Sequence, residues 1–168
     1  MPGYLLRPKG ARAPHPVMIC LQGHSPGMHI SIGRARNERE QKSIEGGRDL
    51  ALQAVARGWA ALVIEQRGVG VRAVPGASCN DAALRALHLG RPLTGQRVFD
   101  VRRAVDFIAT QPDLDSARVG CIGNSTGGTV SFYAAAGVAD RVRLVAGDGG
   151  HQFYPELAWP VVMEMMGA

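Results

Sequence analysis

Two uninterrupted apolar runs, Val17 to Leu21 (VMICL) and Trp59 to Ile64 (WAALVI), constrain the chain most. A strand without polar alternation has to be buried on both faces, as in parallel sheets sandwiched between helices. Arg118 to Ile122 (RVGCI) and Arg141 to Ala146 (RVRLVA) read as shorter strands, the second alternating like an edge or half-covered one, and Tyr4 to Arg7 reads as a hairpin partner. Helical periods separate them. Asp49 to Ala56 gathers Leu50, Ala54 and Val55 on one side and stops at Gly58. Val98 to Ile108 sets Val98, Val101, Val105 and Ile108 against a polar face of Asp100, Arg102, Arg103 and Asp106. Thr126 to Ala136 and Glu156 to Met166 complete the helices, with Pro160 expected to break or bend the last one's first turns.

This alternation predicts an α/β fold, a mainly parallel sheet with helices on both faces and ligands beyond the carboxyl ends of the strands. Gly27 to Gly47 and Gly68 to Gly95 are longer than ordinary connections and are expected to shape the mouth of a pocket. A length of 168 residues suits one compact domain over 1–168, and 46% hydrophobic with 20% charged residues is globular rather than disordered.

No run approaches the roughly 20 apolar residues of a membrane span, and the first residues lack the apolar core of a secretion signal. Neither membrane insertion nor export is therefore expected. Cys20, Cys79 and Cys121 are odd in number and without CxxC spacing, which fits a reducing, cytoplasmic setting. The net charge of +5 raises the question of nucleic acid, but Arg34, Arg36, Arg39 and Lys42 alternate with Glu38, Glu40 and Glu45 and no aromatic residue interleaves. That mixture reads as a solvated face, and no nucleic-acid partner is expected.

Chemistry concentrates in Gly123-Asn124-Ser125-Thr126-Gly127-Gly128, which matches G-x-S-x-G. Glycines flank such a serine because a tight strand-to-helix turn leaves no room for side chains beside it. The pattern alone is weak, and a plain glycine-rich turn would satisfy it, but an apolar strand runs into it and the small residues of TVSFYAAA leave it as a helix. This is the context of a nucleophile elbow: the Ser125 hydroxyl stands above the sheet and the Thr126 N–H opens a helix, where it can stabilise an oxyanion. Where a nucleophile sits on such a turn the base follows in chain order, and His151 is the histidine that qualifies. For the acid, Asp148 lies three residues before it and is preferred over Asp140, while an Asp–Gly turn, Glu156 or a dyad without an acid remain open. The second oxyanion donor is expected from the turn at Leu21-Gln22-Gly23-His24-Ser25, with the His24 N–H as first choice. His29 reads as a loop residue, since no carboxylate accompanies it at ligand spacing, and neither metal nor cofactor is expected.

The stretches GYLLRPKGA, LQGHSPGMH, VIEQRGVGVR, LTGQRVFDVRRAVDFI, GNSTGG and GGHQFYPELAWP together resemble the acetylxylan esterase and dienelactone hydrolase-like branch of the α/β-hydrolases. The resemblance covers nearly the whole chain and implies hydrolysis of small carboxylic esters, acetyl esters especially, through an acyl-enzyme. The chain departs from that pattern after the elbow helix, where Tyr133-Ala134-Ala135-Ala136 passes within a few residues to Asp140. About two strand–helix units, and with them the usual acid, are absent.

The expected protein is thus a serine esterase for short acyl groups acting on a small-molecule ester, with a catalytically impaired binding or structural remnant as the rival. A cysteine-based hydrolase is disfavoured because the turn carries Ser125. Missing sheet elements leave an edge to be covered, so a homodimer is expected. The apolar Leu157, Trp159, Val161, Val162, Met163, Met165 and Met166 fit either core packing or a partner's surface.

Overall fold

A computed structural model of the chain describes residues 1–24, 27–136 and 153–167. Four strands, β1 (Gly3–Leu6), β2 (His15–Leu21), β3 (Ala60–Ile64) and β4 (Leu114–Gly123), form one sheet in the order β1-β3-β2-β4. β2 pairs in parallel with both β3 and β4, and β1 pairs antiparallel with β3. Tyr4 to Arg7 is thus a strand segment but not a hairpin with its sequence neighbour: Gly3 sits opposite Ile64 and Leu6 opposite Ala61. β2 carries the continuous apolar run because it is central and covered on both faces.

The period of two along each strand divides the core into two layers. Val17, Ile19 and Leu21 of β2 and Ala60, Leu62 and Ile64 of β3 pack with α4 (Leu93–Ala109) and α5 (Thr126–Ala135) through Val101, Ala104, Ile108 and Val130. Met18, Cys20, Ala61 and Val63 face the other way, toward α2 (Leu50–Ala56) and α6 (Pro155–Met166) through Leu50, Ala51, Ala54 and Trp159. Each fully buried Val, Ile or Leu contributes roughly 1.5–3 kcal/mol. The two layers thus pack the central strands on both faces.

α4 starts earlier than its sequence signal and is rotated from it. Leu93, Arg97, Asp100, Val101, Ala104 and Ile108 are buried, whereas Val105 is exposed. Asp100, expected on the wet face, is turned inward because Arg67 and Arg72 meet its carboxylate. The two long connections are also not irregular. The first holds a 3-10 turn (Met28–Ile32), α1 (Glu38–Ser43), capped by the Asn37 side chain, and a π turn (Ile44–Arg48). The second holds a 3-10 turn (Gly70–Arg72) and α3 (Cys79–His88), whose Ser78 and Asp81 form a reciprocal capping box.

α6 runs through Pro160 without a break. The missing N–H and ring clash cost about 3 kcal/mol in a helix interior, and the adjacent Trp159 offsets it. Trp159 is 2% exposed, its ring centroid lies 5.9 Å from that of Trp59, its Nε1–H donates to Gln53 at 2.5 Å, and the Arg57 guanidinium stands 4.3 Å above it. Val162, Met163 and Met166 join this layer while Leu157 and Met165 remain exposed, so most of the apolar C-terminal stretch packs on the core. The outer edge of β4 has no strand partner among the described residues. The predicted strand Arg141 to Ala146 lies outside them.

Candidate active site

β4 ends in Gly123, two residues bridge the gap, and α5 begins at Thr126, so the chain reverses direction within the span of Asn124 and Ser125. Ser125 takes φ 54° and ψ −120°, and it is the one non-glycine residue with positive φ among those described. A backbone of this kind costs on the order of 1–3 kcal/mol and persists only where its surroundings impose it. The surroundings here are glycines and strand ends. A Cβ on Gly123 would lie 2.2 Å from the Gly127 carbonyl carbon, and one on Gly127 would lie 2.3 Å from the Leu21 carbonyl oxygen. Both positions of the motif are glycine because the first turn of α5 presses onto the ends of β4 and β2.

Three backbone hydrogen bonds fix the bend. Asn124 N–H donates to the Leu21 carbonyl at 3.2 Å, Gly127 N–H to that of Asn124 at 2.8 Å, and Thr129 N–H to that of Ser125 at 3.0 Å. Ser125 itself is exposed at the carboxyl end of the sheet. Thr126, as the first residue of α5, contributes one of the amide donors that a helix leaves unpaired in its first turn. From the loop after β2, Gly23 approaches the bend so closely that it leaves no room for a side chain, and His24, next in sequence, is exposed. The structure thus sets Ser125 and Thr126 on the bend, with Gly23, the residue before His24, packed against it. His151 and Asp148, with Asp140, lie outside the described residues. Glu156, the alternative acid, is exposed on the first turn of α6, where it lines a cavity of about 640 Å³ with Arg39, Lys42 and Tyr154.

A layer of buried polar side chains under the site has no counterpart in the sequence reading. Glu65 and Gln66 directly follow β3. Glu65, 2% exposed, accepts from Met28 N–H at 3.0 Å through Oε1 and from Val71 N–H at 3.2 Å through Oε2. Burial raises its pKa, and the two N–H groups, with His29 and Arg36 nearby, only partly counter the shift. The Gln66 side-chain amide donates to the Gln22 carbonyl, and Gln22 donates to Ser31 Oγ at 2.6 Å and to the Arg48 carbonyl at 2.7 Å.

His29 lies in the connection after β2, where a carboxylate 11 residues along the chain meets it. It is buried, and its Nε2 lies 3.0 Å from Glu40 Oε2. Glu40 thereby leaves the charged stretch expected to be solvated. Burial alone would raise its carboxyl, but the Arg36 N–H and His29 outweigh this and hold it below the usual range. Farther along, Arg67 grips Asp100 at 2.9 and 2.8 Å and Arg72 adds a third bond at 2.6 Å, pinning the loop after β3 to α4. Among the described residues no group of three or more His, Cys, Asp or Glu side chains is placed to hold a metal ion, and no helix is long and apolar enough to cross a membrane. The detectable signal for the polar layer was the abrupt Glu65-Gln66 pair at the end of a wholly apolar strand.

No family model matches the chain. It is 25% identical over 148 residues to the Bacillus subtilis protein YtaP, which is named as a hydrolase; the match covers 85% of this chain and 46% of that protein. Among solved structures, a protein assigned as an acetyl xylan esterase from Bacteroides fragilis superposes with a TM-score of 0.65 at 20% identity, over 79% of this chain and 37% of its own. Acetyl xylan esterase 1 from Thermoanaerobacterium superposes with a TM-score of 0.56 at 25% identity, over 80% of this chain and 39% of its own. The chain therefore spans under half the length of each of these relatives. Taken with the sheet order and the strand–turn–helix bend at Ser125, these likenesses place the chain in the α/β-hydrolase fold.

Proposed function

We propose that the chain is a serine esterase acting on small carboxylic esters with short acyl groups, acetyl esters foremost. The observation that carries this reading is the strained bend at Ser125, φ 54°, walled by glycines that admit no side chain. Strain at an exposed hydroxyl beyond the carboxyl ends of a parallel sheet is what a nucleophile elbow requires. Names among the relatives, a hydrolase and acetyl xylan esterases, point the same way.

In this reading Ser125 Oγ attacks the ester carbonyl carbon as His151 takes the hydroxyl proton, with Asp148 as the acid that orients the imidazole. The carbonyl oxygen becomes an oxyanion and accepts from the backbone N–H groups of His24 and Thr126. Collapse of the tetrahedral intermediate breaks the bond to the alkoxy oxygen, which leaves as the alcohol with the proton from His151. Water, deprotonated by His151, then attacks the acyl-Ser125 ester; as that tetrahedral intermediate collapses, His151 returns the proton to Ser125 Oγ and the carboxylic acid is released.

Hydrolysis of p-nitrophenyl esters of increasing acyl length tests this. Acetate and propionate are expected to turn over fastest, with kcat lowered by about 10³-fold or more in Ser125→Ala and His151→Ala. Absence of ester hydrolysis in the wild-type chain, or equal rates in Ser125→Ala, contradicts the reading.

A further inference from the structure

We infer that Glu65 and Gln66 are positioning residues for the proposed oxyanion donor, because two successive side chains at the end of β3 hold both ends of the segment from Gln22 to Met28. The inference rests on the esterase reading for its catalytic part. At one end the Gln66 amide donates to the Gln22 carbonyl; at the other, Glu65 Oε1 accepts from the Met28 N–H at 3.0 Å. His24 lies between these two anchors in sequence and directly follows Gly23, whose added Cβ would stand 3.0 Å from Ser125 Cβ.

The glycines around Glu65 show how closely the chain has been built around its carboxylate. A Cβ on Gly70 would lie 2.0 Å from Glu65 Oε2, and one on Gly27 would lie 2.9 Å from it, and both glycines have positive φ. The two loops at the carboxyl ends of β2 and β3 therefore close directly on this one side chain. Oε2 accepts from Val71 N–H at 3.2 Å, and Arg72, hydrogen-bonded to the Glu65 carbonyl at 3.0 Å, carries the same loop onto Asp100. Gln22 is fixed in turn by Ser31 and by the Arg48 carbonyl. Both anchors, Glu65 and Gln66, are buried and face no solvent that could substitute for the lost partner.

A donor that acts on the oxyanion stabilises the transition state and not the bound ester, so misplacing it lowers kcat and leaves KM nearly alone. Glu65→Gln keeps the shape and one acceptor but turns an NH₂ toward the other N–H; Gln66→Leu removes the donor to Gln22. Both are expected to lower kcat for p-nitrophenyl acetate at least 10-fold with KM within about twofold, and Glu65→Leu more than Glu65→Gln. Affinity for a trifluoromethyl ketone, which forms a tetrahedral oxyanion, is expected to fall in parallel with kcat. Amide hydrogen exchange supplies a readout independent of turnover: peptides containing Met28 and Val71 exchange at least 10-fold faster in Glu65→Leu, while those from α2 do not. If wild-type protein is active and the variants keep kcat, or lose it with a proportional rise in KM, the inference is overturned. If wild-type protein proves inactive the esterase reading fails separately, and unchanged exchange at Met28 and Val71 then overturns the clamp itself.

Discussion

Gly23 and Ser125 follow the neighbouring parallel strands β2 and β4 and lie so close that a Cβ on Gly23 would stand 3.0 Å from Ser125 Cβ and 2.9 Å from the Asn124 carbonyl oxygen. The atoms it would meet belong to the strained bend and cannot swing aside like the end of a flexible side chain. Gly23→Ala is therefore expected to displace the bend and lower kcat/KM for p-nitrophenyl acetate by 10-fold or more. Gly95→Ala is the control, since nothing lies within 4 Å of the added carbon inside α4, and helix propensity alone predicts a gain of about 0.5–1 kcal/mol in a denaturant melt.

Strain at Ser125 predicts opposite effects on stability and activity. Glycine adopts positive φ without the steric penalty, so Ser125→Gly should raise the unfolding free energy by about 1 kcal/mol while activity vanishes. Ser125→Ala should remove activity equally and leave the strain in place. Urea melts of the three proteins check the pair; equal midpoints for Gly and Ala would show that the bend stores no strain.

The Asp100 carboxylate sets an acid limb of stability. Burial alone would raise its pKa, but hydrogen bonds from Arg67 and Arg72 outweigh it and hold the carboxyl below the usual carboxylate range. A depressed folded-state pKa means stabilisation that is complete above the unfolded value and lost as pH falls through the folded one. Asp100→Asn is expected to lower stability at pH 7 by on the order of 3 kcal/mol. It should also flatten the slope of stability against pH below about 4. Thermal melts between pH 2.5 and 7 measure both.

α6 is held by Trp159, whose ring packs against the tilted Trp59 ring and carries the Arg57 guanidinium over one face. Trp159→Ala is expected to destabilise the chain by about 3–5 kcal/mol. Leu157→Ala and Met165→Ala, on the exposed side, should stay within about 0.5 kcal/mol. A small effect at Trp159 would show that α6 does not pack on the core.

Hydrophobic pattern made the sheet and the bend legible in the sequence, and its limits explain the misses. VMICL and WAALVI could only be central strands, and both are buried on both faces between helices. Gly123 and Gly127 were readable as steric necessities before their contacts with Gly127 and Leu21 were known. Pairing partners were less accessible, since nothing in Gly3–Leu6 states that it crosses to β3. α3 carried a usable signal, the S-x-x-D box of Ser78 and Asp81, but its exposed Leu84 and Leu87 hid the amphipathic stripe. Asp100, Glu65 and Glu40 were misplaced or overlooked for one reason: polarity predicts exposure unless the partners are known, and Arg67, Met28 and His29 are brought to them by tertiary structure alone. The acid–base half of the proposed site, His151 and Asp148, rests on chain order and lies outside the described residues.

The most direct measurement is covalent labelling of the wild-type chain with a fluorophosphonate probe, followed by peptide mass spectrometry. The account predicts one adduct, on Ser125, formed at a rate that falls at least 10²-fold in His151→Ala and to nothing in Ser125→Ala. A folded wild-type protein that ignores the probe, or an adduct on any other residue, would contradict it.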